Sequence, residues 1–400
     1  MLVDRQEPAL KIMQVNDTFD GGGASQVMTE LSRGLVANGH QVYFAVGGGG
    51  IANNVYEIHH MNNRLRYVVR RLFFFDRDII ARIEFEQILN EIKPDIIHCH
   101  NLVDLSLEIV DIAVKRQIPC LVTIHDCWPV CMNRTLLKGN WRKPNSNDIC
   151  DETDWSRCTI DCKWEAVRKV PNVSWGMSNR RKLLSSDCVN LISVSDYVKG
   201  VLERFGYPSQ KIQTIVNGVD TSLFEQKPFS PEPIVLYAGG DAWYKGVGHF
   251  MALAKRLKKQ RPNVRFVMLG SKGSRVQNLV ENVGSIPHED MIDYYSRSRC
   301  TCIPTLSAEA LGLVALETMA CGRPAVAYAS GGLSEIIKDQ KTGFLCERGN
   351  LAMLEEKVSL LIDNIELAEE MGVCAREHVE REYDLKRVVD QYERKYYSML

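Results

Sequence analysis

Two glutamates separated by seven residues, Glu309 and Glu317, are the leading candidates for chemistry in this chain. The pattern around them predicts a strand end, a loop that holds Glu309, and a helix from Gly312 to residue 320. The amides of Gly312, Leu313 and Val314 open this helix and form an anion site, because they have no partner within the helix. A diphosphate cradle beside two hydroxyl acceptors suits a sugar nucleotide. The alternative is an ordinary helix with an exposed glutamate near each end.

The segment 305–324 resembles the signature of the retaining GT-B glycosyltransferases of family 4, the glycogen-synthase-like group. The resemblance implies an α/β protein with the GT-B fold, in which two Rossmann-like, doubly wound parallel-sheet domains face a central cleft. It implies that Glu309 binds the transferred sugar near its 3-hydroxyl and that Glu317 holds the ribose of the nucleotide. Chemistry in this family is metal-independent, so no cofactor is expected besides the donor, a UDP- or GDP-sugar.

Apolar strand-like runs alternate with helix-like segments along the chain, which predicts α/β domains with parallel sheets. The predicted strands cover residues 10–15, 42–46, 96–98, 120–124, 191–194, 212–216, 234–238, 264–269, 300–304 and 325–328. Three prolines in residues 227–233 predict a linker between an N-terminal acceptor domain, 1–226, and a nucleotide-sugar domain, 234–380. Residues 381–400 predict a helix with one apolar stripe. This helix could stay on the second domain, but the resemblance indicates that it crosses back to the first, which we predict.

A glycine-rich turn follows the predicted strand 234–238, and Lys245 comes just before the next helix. Lys245 is therefore placed either to stabilise charge on a leaving diphosphate or to be a solvated loop lysine. The family usually has an arginine five positions before this lysine, next to the donor, and Gly240 stands there in this chain. The missing cation predicts weaker leaving-group stabilisation, unless Arg275 or a residue of the first domain compensates.

Gly22 and Gly23 follow the first predicted strand and precede a helix, so their backbone can approach a phosphate or a sugar. The family has a glycine pair here, next to the donor diphosphate and the acceptor. Ile286 lies in a loop that resembles the one whose backbone reads the nucleotide base, although a plain connection is the alternative. The turn 330–332 is either a second anion nest or a close-packed turn.

His125 ends the predicted strand 120–124 at the cleft edge, and it resembles the family histidine that contacts the transferred sugar, often at its 6-hydroxyl. Asp126 either orients His125 or caps the following turn. His98, His100 and Asn101 end the preceding strand and are candidates to line the acceptor pocket. A rival interpretation is a zinc site formed by His98, His100 and His125.

A cysteine-rich insert covers residues 127–164. Either its cysteines are free thiols, or four of them hold a structural zinc or an iron–sulfur cluster. Those four are Cys131, Cys150, Cys158 and Cys162. The basic and aromatic stretch 64–77, with Arg180, Arg181 and Lys182, either lies on an anionic membrane surface or belongs to a helix that buries its rings.

The net charge of −1 does not indicate nucleic-acid binding. The first nine residues lack a signal-peptide pattern, no apolar run is long enough for a bilayer, and the 13 cysteines indicate reduced thiols. We therefore expect a cytoplasmic protein, with docking on the inner face of a membrane as an added hypothesis.

These features predict a retaining glycosyltransferase that moves a hexose-type sugar from a nucleoside diphosphate to a hydroxyl of a glycan or polyprenyl-linked acceptor, in surface polysaccharide synthesis. The resemblance implies same-face attack, in which a departing phosphate oxygen helps to take the acceptor proton and the protein supplies positioning and charge stabilisation. A phosphorylase or an epimerase-like enzyme is another reading of the fold. The alternative from a different class is a weakly active or inactive sugar-nucleotide-binding partner of another transferase, which Gly240 motivates.

Overall fold

The structure is a computed structural model. It describes residues 8–49, 54–59, 78–103, 105–137, 149–151, 153–155, 158, 173–271 and 279–400. Its strands form two sheets, one of seven strands and one of six, and the paired strands run parallel in both. The proline-rich segment 227–233 lies between the last strand of the first sheet and the first strand of the second.

The first sheet has the strand order β3-β2-β1-β4-β5-β6-β7. Its strands are β1 Lys11–Asn16, β2 Gln41–Val46, β3 Val55–Glu57, β4 Ile96–Cys99, β5 Cys120–Ile124, β6 Val189–Ser193 and β7 Ile212–Thr214. The inner strands β4 and β5 are buried along their whole length, as apolar strands with helices on both faces must be.

The second sheet has the strand order β10-β9-β8-β11-β12-β13. Its strands are β8 Ile234–Ala238, β9 Arg265–Leu269, β10 Glu281–Gly284, β11 Cys300–Ile303, β12 Ala325–Tyr328 and β13 Gly343–Cys346. In each sheet the chain order reverses beside the first strand, which opens a crevice at the carboxyl ends of the strands.

Helices connect the strands of both sheets. They are α1 Gly23–Ala37, α2 Ile79–Ile92, α3 Glu108–Arg116, α4 Val173–Leu184, α5 Asp196–Arg204, α6 Val247–Gln260, α7 His288–Arg297, α8 Leu313–Ala320, α9 Leu333–Ile336, α10 Leu351–Asp363, α11 Ile365–Glu382 and α12 Leu385–Tyr397. Short 3₁₀ turns lie at Ser209–Lys211, Thr221–Leu223 and Trp243–Lys245.

The last helix, α12, lies on the first sheet and not on the second. Its apolar stripe belongs to one buried cluster with α1 and β1. The approach of the two helices is close, because a Cβ atom on Gly34 of α1 would lie 2.4 Å from a methyl group of Val389. The N–H of Leu385 also donates to the carbonyl of Val219 at 3.0 Å. The chain therefore crosses back at α12 and ties its two halves together.

All ten strands that the apolar runs predict are present. β5, β8 and β12 have the predicted limits, and the other seven differ by one or two residues at an end. The three strands that were not predicted are β3, β10 and β13. The predicted helix at Gly312 begins one residue later, because Gly312 is the N-cap of α8.

Candidate active site

The loop between β11 and α8 carries Glu309 to the carboxyl edge of the second sheet. Gly312 has a φ of 114°, a conformation that favours glycine, and a Cβ atom there would lie 2.5 Å from the side chain of Leu333. The first hydrogen bonds of α8 run from Ala315 and Leu316 to the carbonyl of Gly312. The amides of residues 312–314 therefore precede the helical hydrogen bonds, as the predicted anion site requires.

Lys245 and Glu309 form an ion pair at this edge. The Nζ atom of Lys245 donates to both oxygens of the Glu309 carboxylate, at 2.8 and 3.0 Å. Burial lowers the pKa of Lys245, but the charge of Glu309 and the hydrogen bonds to it outweigh burial and leave that pKa raised. Lys245 is therefore a charged ammonium group that Glu309 holds at this edge.

Glu317 lies inside a cluster of three hydrogen-bond donors and is only 3% exposed. Its Oε1 atom is 2.7 Å from Nε2 of His288 and 3.1 Å from Nε2 of Gln26, and its Oε2 atom accepts from the Tyr295 hydroxyl at 2.8 Å. The hydrogen bond to Glu317 outweighs burial and raises the pKa of His288. The carboxylate is thus held in one orientation by groups from both halves of the chain.

The first domain reaches the same place through its glycine-rich loop. Gly22 is the N-cap of α1 with a φ of 82°. A Cβ atom on Gly23 would lie 3.1 Å from Leu313, the first residue of α8. The starts of α1 and α8 therefore meet across the cleft, and backbone amides of both helices are brought to one place.

His125 follows β5, and its Nε2 atom is 2.8 Å from Nδ1 of His100 at the end of β4. Asp126 does not hold His125, because its Oδ1 atom accepts from the backbone N–H of Trp128 at 2.7 Å and so caps the following turn. Burial raises the pKa of Asp126 to about 6, and the charge of Lys245 is among those that oppose this shift. The loop after β5 therefore lies opposite Lys245.

Two expectations about the histidines are wrong. His98 and His100 are both 0% exposed, so neither lines an acceptor pocket. A zinc site shared by the three histidines does not fit either, because both ring nitrogens of His98 are already hydrogen-bonded, to the hydroxyls of Tyr396 and Thr123 at 2.7 and 2.8 Å. Among the described residues, no group of three or more potential ligands could hold a metal ion.

Two other predicted donor contacts lie at the rim of the second sheet. Ile286 is half-buried in the loop between β10 and α7, two residues before His288. Gly240 is exposed after β8, and a Cβ atom added to it would meet no atom within 4 Å. Arg275, the suggested replacement for the missing arginine, lies outside the described residues, and so does the basic stretch 64–77.

The cysteine insert is described only in part. Cys127 is buried, Cys131, Cys150 and Cys158 are half-buried, and Cys162 lies outside the described residues. Burial raises the pKa of Cys131. The metal hypothesis for this insert therefore stays a prediction.

Arg180 does not join a membrane-facing patch, which corrects that expectation. It is 8% exposed, it donates to the carbonyl of Trp128 at 2.5 Å, and it lies over the Trp128 ring. The Arg180 guanidinium therefore interacts with Trp128 inside the first domain.

Three residues that contact Glu317 were not predicted from the sequence: Gln26, His288 and Tyr295. Gln26 is 291 positions from Glu317 along the chain. One sequence signal was available, since Gln26 lies on the first turns of the helix that Gly22 and Gly23 open. No local pattern marked His288 or Tyr295 as partners of Glu317.

Two family models match this chain and identify its family. The model of the family described as Glycosyltransferase Family 4 matches residues 21–223, and that of Glycosyl transferases group 1 matches residues 219–378. The chain belongs to Glycosyltransferase Family 4. This family 4 glycosyltransferase has the predicted fold, and its second domain carries the group 1 match that contains both glutamates.

Similar proteins cover nearly the whole chain. N-acetyl-alpha-D-glucosaminyl L-malate synthase of Bacillus anthracis is 23% identical over 95% of this chain and 94% of its own length. Sucrose-phosphate synthase of Thermosynechococcus elongatus superposes with a TM-score of 0.72 at 18% identity, over 98% of this chain and 99% of that one. The structure of HepE of Anabaena in complex with UDP-glucose superposes with a TM-score of 0.74 at 14% identity, over 97% of this chain and 100% of that one. These structures confirm the GT-B fold.

Within the described residues, no helix combines the length and the apolar character that a membrane span needs.

Proposed function

We propose that this glycosyltransferase is a retaining enzyme that transfers a sugar from a UDP- or GDP-sugar to a hydroxyl of a glycan or lipid-linked acceptor. The observation that carries the proposal is the Lys245–Glu309 pair beside the opening of α8, in the cleft between the two sheets. Relatives support the donor class, since HepE binds UDP-glucose. Surface polysaccharide synthesis on the inner face of a membrane is the proposed setting.

We assign each group a task in this proposal. The first amides of α8 and the ammonium of Lys245 hold the diphosphate, where negative charge grows as the bond to the sugar breaks. Glu309 then exchanges its hydrogen bonds from Lys245 for those of sugar hydroxyls. In this proposal the sugar on Glu309 and the leaving phosphate on Lys245 lie side by side, as same-face attack requires.

Glu317 is proposed to hold the ribose hydroxyls. Its three donors fix the carboxylate, so that ordering this side chain costs little when the nucleotide binds. Gln26 comes from the first domain, so a ribose on Glu317 also contacts the surface at which the two domains meet. Donor binding is in this way linked to the closed arrangement of the cleft.

Donor hydrolysis tests the proposal. The wild-type protein is first screened by thermal shift against UDP- and GDP-sugars, because a ligand of the folded state raises the melting temperature. For the sugar that binds, nucleotide release is measured, and the anomer of the released sugar is followed by NMR. We expect release with retention, and a loss of about 10²-fold in Glu309→Ala.

Glu356→Ala is the matched control, because Glu356 also pairs with a lysine at 2.8 Å but is 68% exposed on α10. It should behave like the wild type. Inversion of the anomer would contradict the retaining mechanism. A wild type that binds a donor but releases no nucleotide would favour the other reading, a binding partner of another transferase.

Gly240→Arg is expected to raise turnover. The position is exposed, has no positive φ and would place a Cβ atom in open space, so an arginine can be built there without displacing the fold. A second cation beside the diphosphate would stabilise the leaving group, and one such hydrogen bond to a charged group is worth about 1.5–3 kcal/mol, or roughly 10–100-fold.

The measurement is kcat for nucleotide release, with Gly240→Gln as a control of similar length without charge. An increase in the arginine variant alone would show that the glycine limits the enzyme. Equal rates in the two variants would mean that another group already supplies this charge.

A further inference from the structure

A line of three hydrogen-bonded side chains runs from the interior of the first sheet to the cleft. It begins at Gln14 in β1, passes through His100 after β4 and ends at His125 after β5. The Oε1 atom of Gln14 is 2.8 Å from Nε2 of His100, and Nδ1 of His100 is 2.8 Å from Nε2 of His125. The neighbouring strands β1, β4 and β5 hold the three residues at this spacing.

The protonation of this line follows from its environment. His100 is fully buried, and burial, together with the charges of His98 and His125, lowers its pKa well below the usual value. Burial also lowers the pKa of His125 to about 4. Both rings are therefore neutral near pH 7, and a neutral imidazole has one N–H donor and one acceptor nitrogen.

The amide oxygen of Gln14 only accepts, so the single proton of His100 is on Nε2. Its Nδ1 atom is then an acceptor, which requires the proton of His125 to be on Nε2. The orientation of the Gln14 amide, with its oxygen towards His100, and the tautomers of both histidines are assigned from the hydrogen-bond network. No hydrogen bond within the described residues uses Nδ1 of His125, and it is not among the buried polar atoms without a partner, so solvent reaches it.

We infer that His100 and Gln14 are positioning residues that hold His125 in the Nε2–H tautomer, so that its Nδ1 atom accepts a hydrogen bond from a hydroxyl of the bound sugar. The inference deepens the proposed function, on which it rests. It predicts that the site selects a sugar whose hydroxyl can donate at this position. A donor with fluorine there, which can only accept, would lose the contact.

Asp126 is the charged group beside the line near neutral pH. The other titratable groups that face the line within the described residues are His98 and the tyrosines of α12. His98 is held between the hydroxyls of Tyr396 and Thr123, at 2.7 and 2.8 Å, and burial lowers its pKa. Burial raises the pKa values of Tyr392 and Tyr396. Asp126, beside His125, has its pKa raised to about 6 and caps a turn instead.

The tautomer itself can be read by ¹⁵N NMR of the full chain labelled at histidine. We expect the His125 signals, assigned by comparison with His125→Asn, to show a protonated Nε2 and an unprotonated Nδ1 between pH 6 and 8. A proton on Nδ1, or a mixture of the two tautomers, would overturn the inference. This readout needs no turnover, so it stays informative even if the proposed transferase activity fails.

Gln14→Glu separates positioning from packing. At high pH the new carboxylate accepts from Nε2 of His100 as the amide does, and turnover should approach that of the wild type. At lower pH the pair formed by the new carboxyl and His100 gains one proton, so Nδ1 of His100 becomes a hydrogen-bond donor. Nε2 of His125 must then accept, and the proton of His125 moves to Nδ1. Turnover relative to the wild type should then fall about tenfold, the effect of one hydrogen bond lost at the sugar.

Two further variants complete the test. Gln14→Met removes the acceptor, so its loss should be the same at every pH. His98→Phe disturbs a ring that lies 4.2 Å from His100 but is not bonded to His125, so its turnover relative to the wild type should not depend on pH. If Gln14→Glu and Gln14→Met lose activity equally at all pH values, Gln14 acts through packing and the inference is wrong.

Discussion

Lys245→Ala should lower kcat for donor cleavage by about 10²–10³, the usual cost of removing one preorganised group that stabilises transition-state charge. The lysine is the cation that the structure places against Glu309, and Gly240 cannot share its task. Charge on the leaving diphosphate is greatest in the transition state, so the loss should appear in kcat more than in KM. The melting temperature should change little, because the Lys245 side chain is 38% exposed and its ion pair is partly solvated.

Lys115→Ala is the matched control, since Lys115 also pairs with a carboxylate but is 54% exposed on α3. It should keep full activity. Lys245→Ala combined with Glu309→Ala should cost less than the sum of the single losses, because the two groups act on adjacent parts of one donor. A single variant within threefold of the wild type would place the leaving phosphate away from Lys245.

Strands of the interior were predictable because burial on both faces leaves a continuous apolar run. β5 and β8 show this, and both have the predicted limits. The missed strands are short and lie at or near a sheet edge. β10 has the sequence Glu-Asn-Val-Gly with no buried residue, so nothing in its composition separates it from a loop.

The place of the candidate site in the fold was predictable where it depends on backbone position. Gly312, Glu309 and Lys245 follow strand ends, and strand ends of a parallel sheet meet at one edge. The partners of these residues were not predictable. The contact of Gln26 with Glu317 and that of His100 with His125 are set by how sheets and domains pack, which no spacing along the chain encodes.

Gly331→Ala should damage both stability and catalysis, although Gly331 itself is not proposed to touch the donor. The turn 330–332 packs against the loop that carries Glu309. The N–H of Gly332 donates to the carbonyl of Glu309 at 2.8 Å, and the hydroxyl of Ser330 donates to the carbonyl of Ser307 at 2.7 Å. A Cβ atom on Gly331 would lie 2.1 Å from the carbonyl oxygen of Glu309. This makes it a close-packed turn rather than a second anion nest.

The added methyl group meets backbone, which cannot rotate away, so the Glu309 segment must shift. A shift of about 1 Å in a positioned group can cost roughly 10²-fold in rate. Gly331 also has a φ of 57°, and a strained backbone of this kind costs an alanine about 1–3 kcal/mol of stability. We therefore expect a lower melting temperature together with a kcat about 10²-fold below that of the wild type.

Gly39→Ala separates the two effects, because Gly39 has a φ of 94° but no atom within 4 Å of an added Cβ. It lies after the end of α1, so it should lose stability through strain and keep its kcat. Gly200→Ala, inside α5 with no positive φ and open space around the Cβ, should gain about 0.4–1 kcal/mol. If Gly331→Ala resembled Gly39→Ala, with reduced stability and full turnover, the turn would not set the position of Glu309. If it failed to fold, Gly312→Ala would test the same loop from its other end, where the contact is the flexible side chain of Leu333.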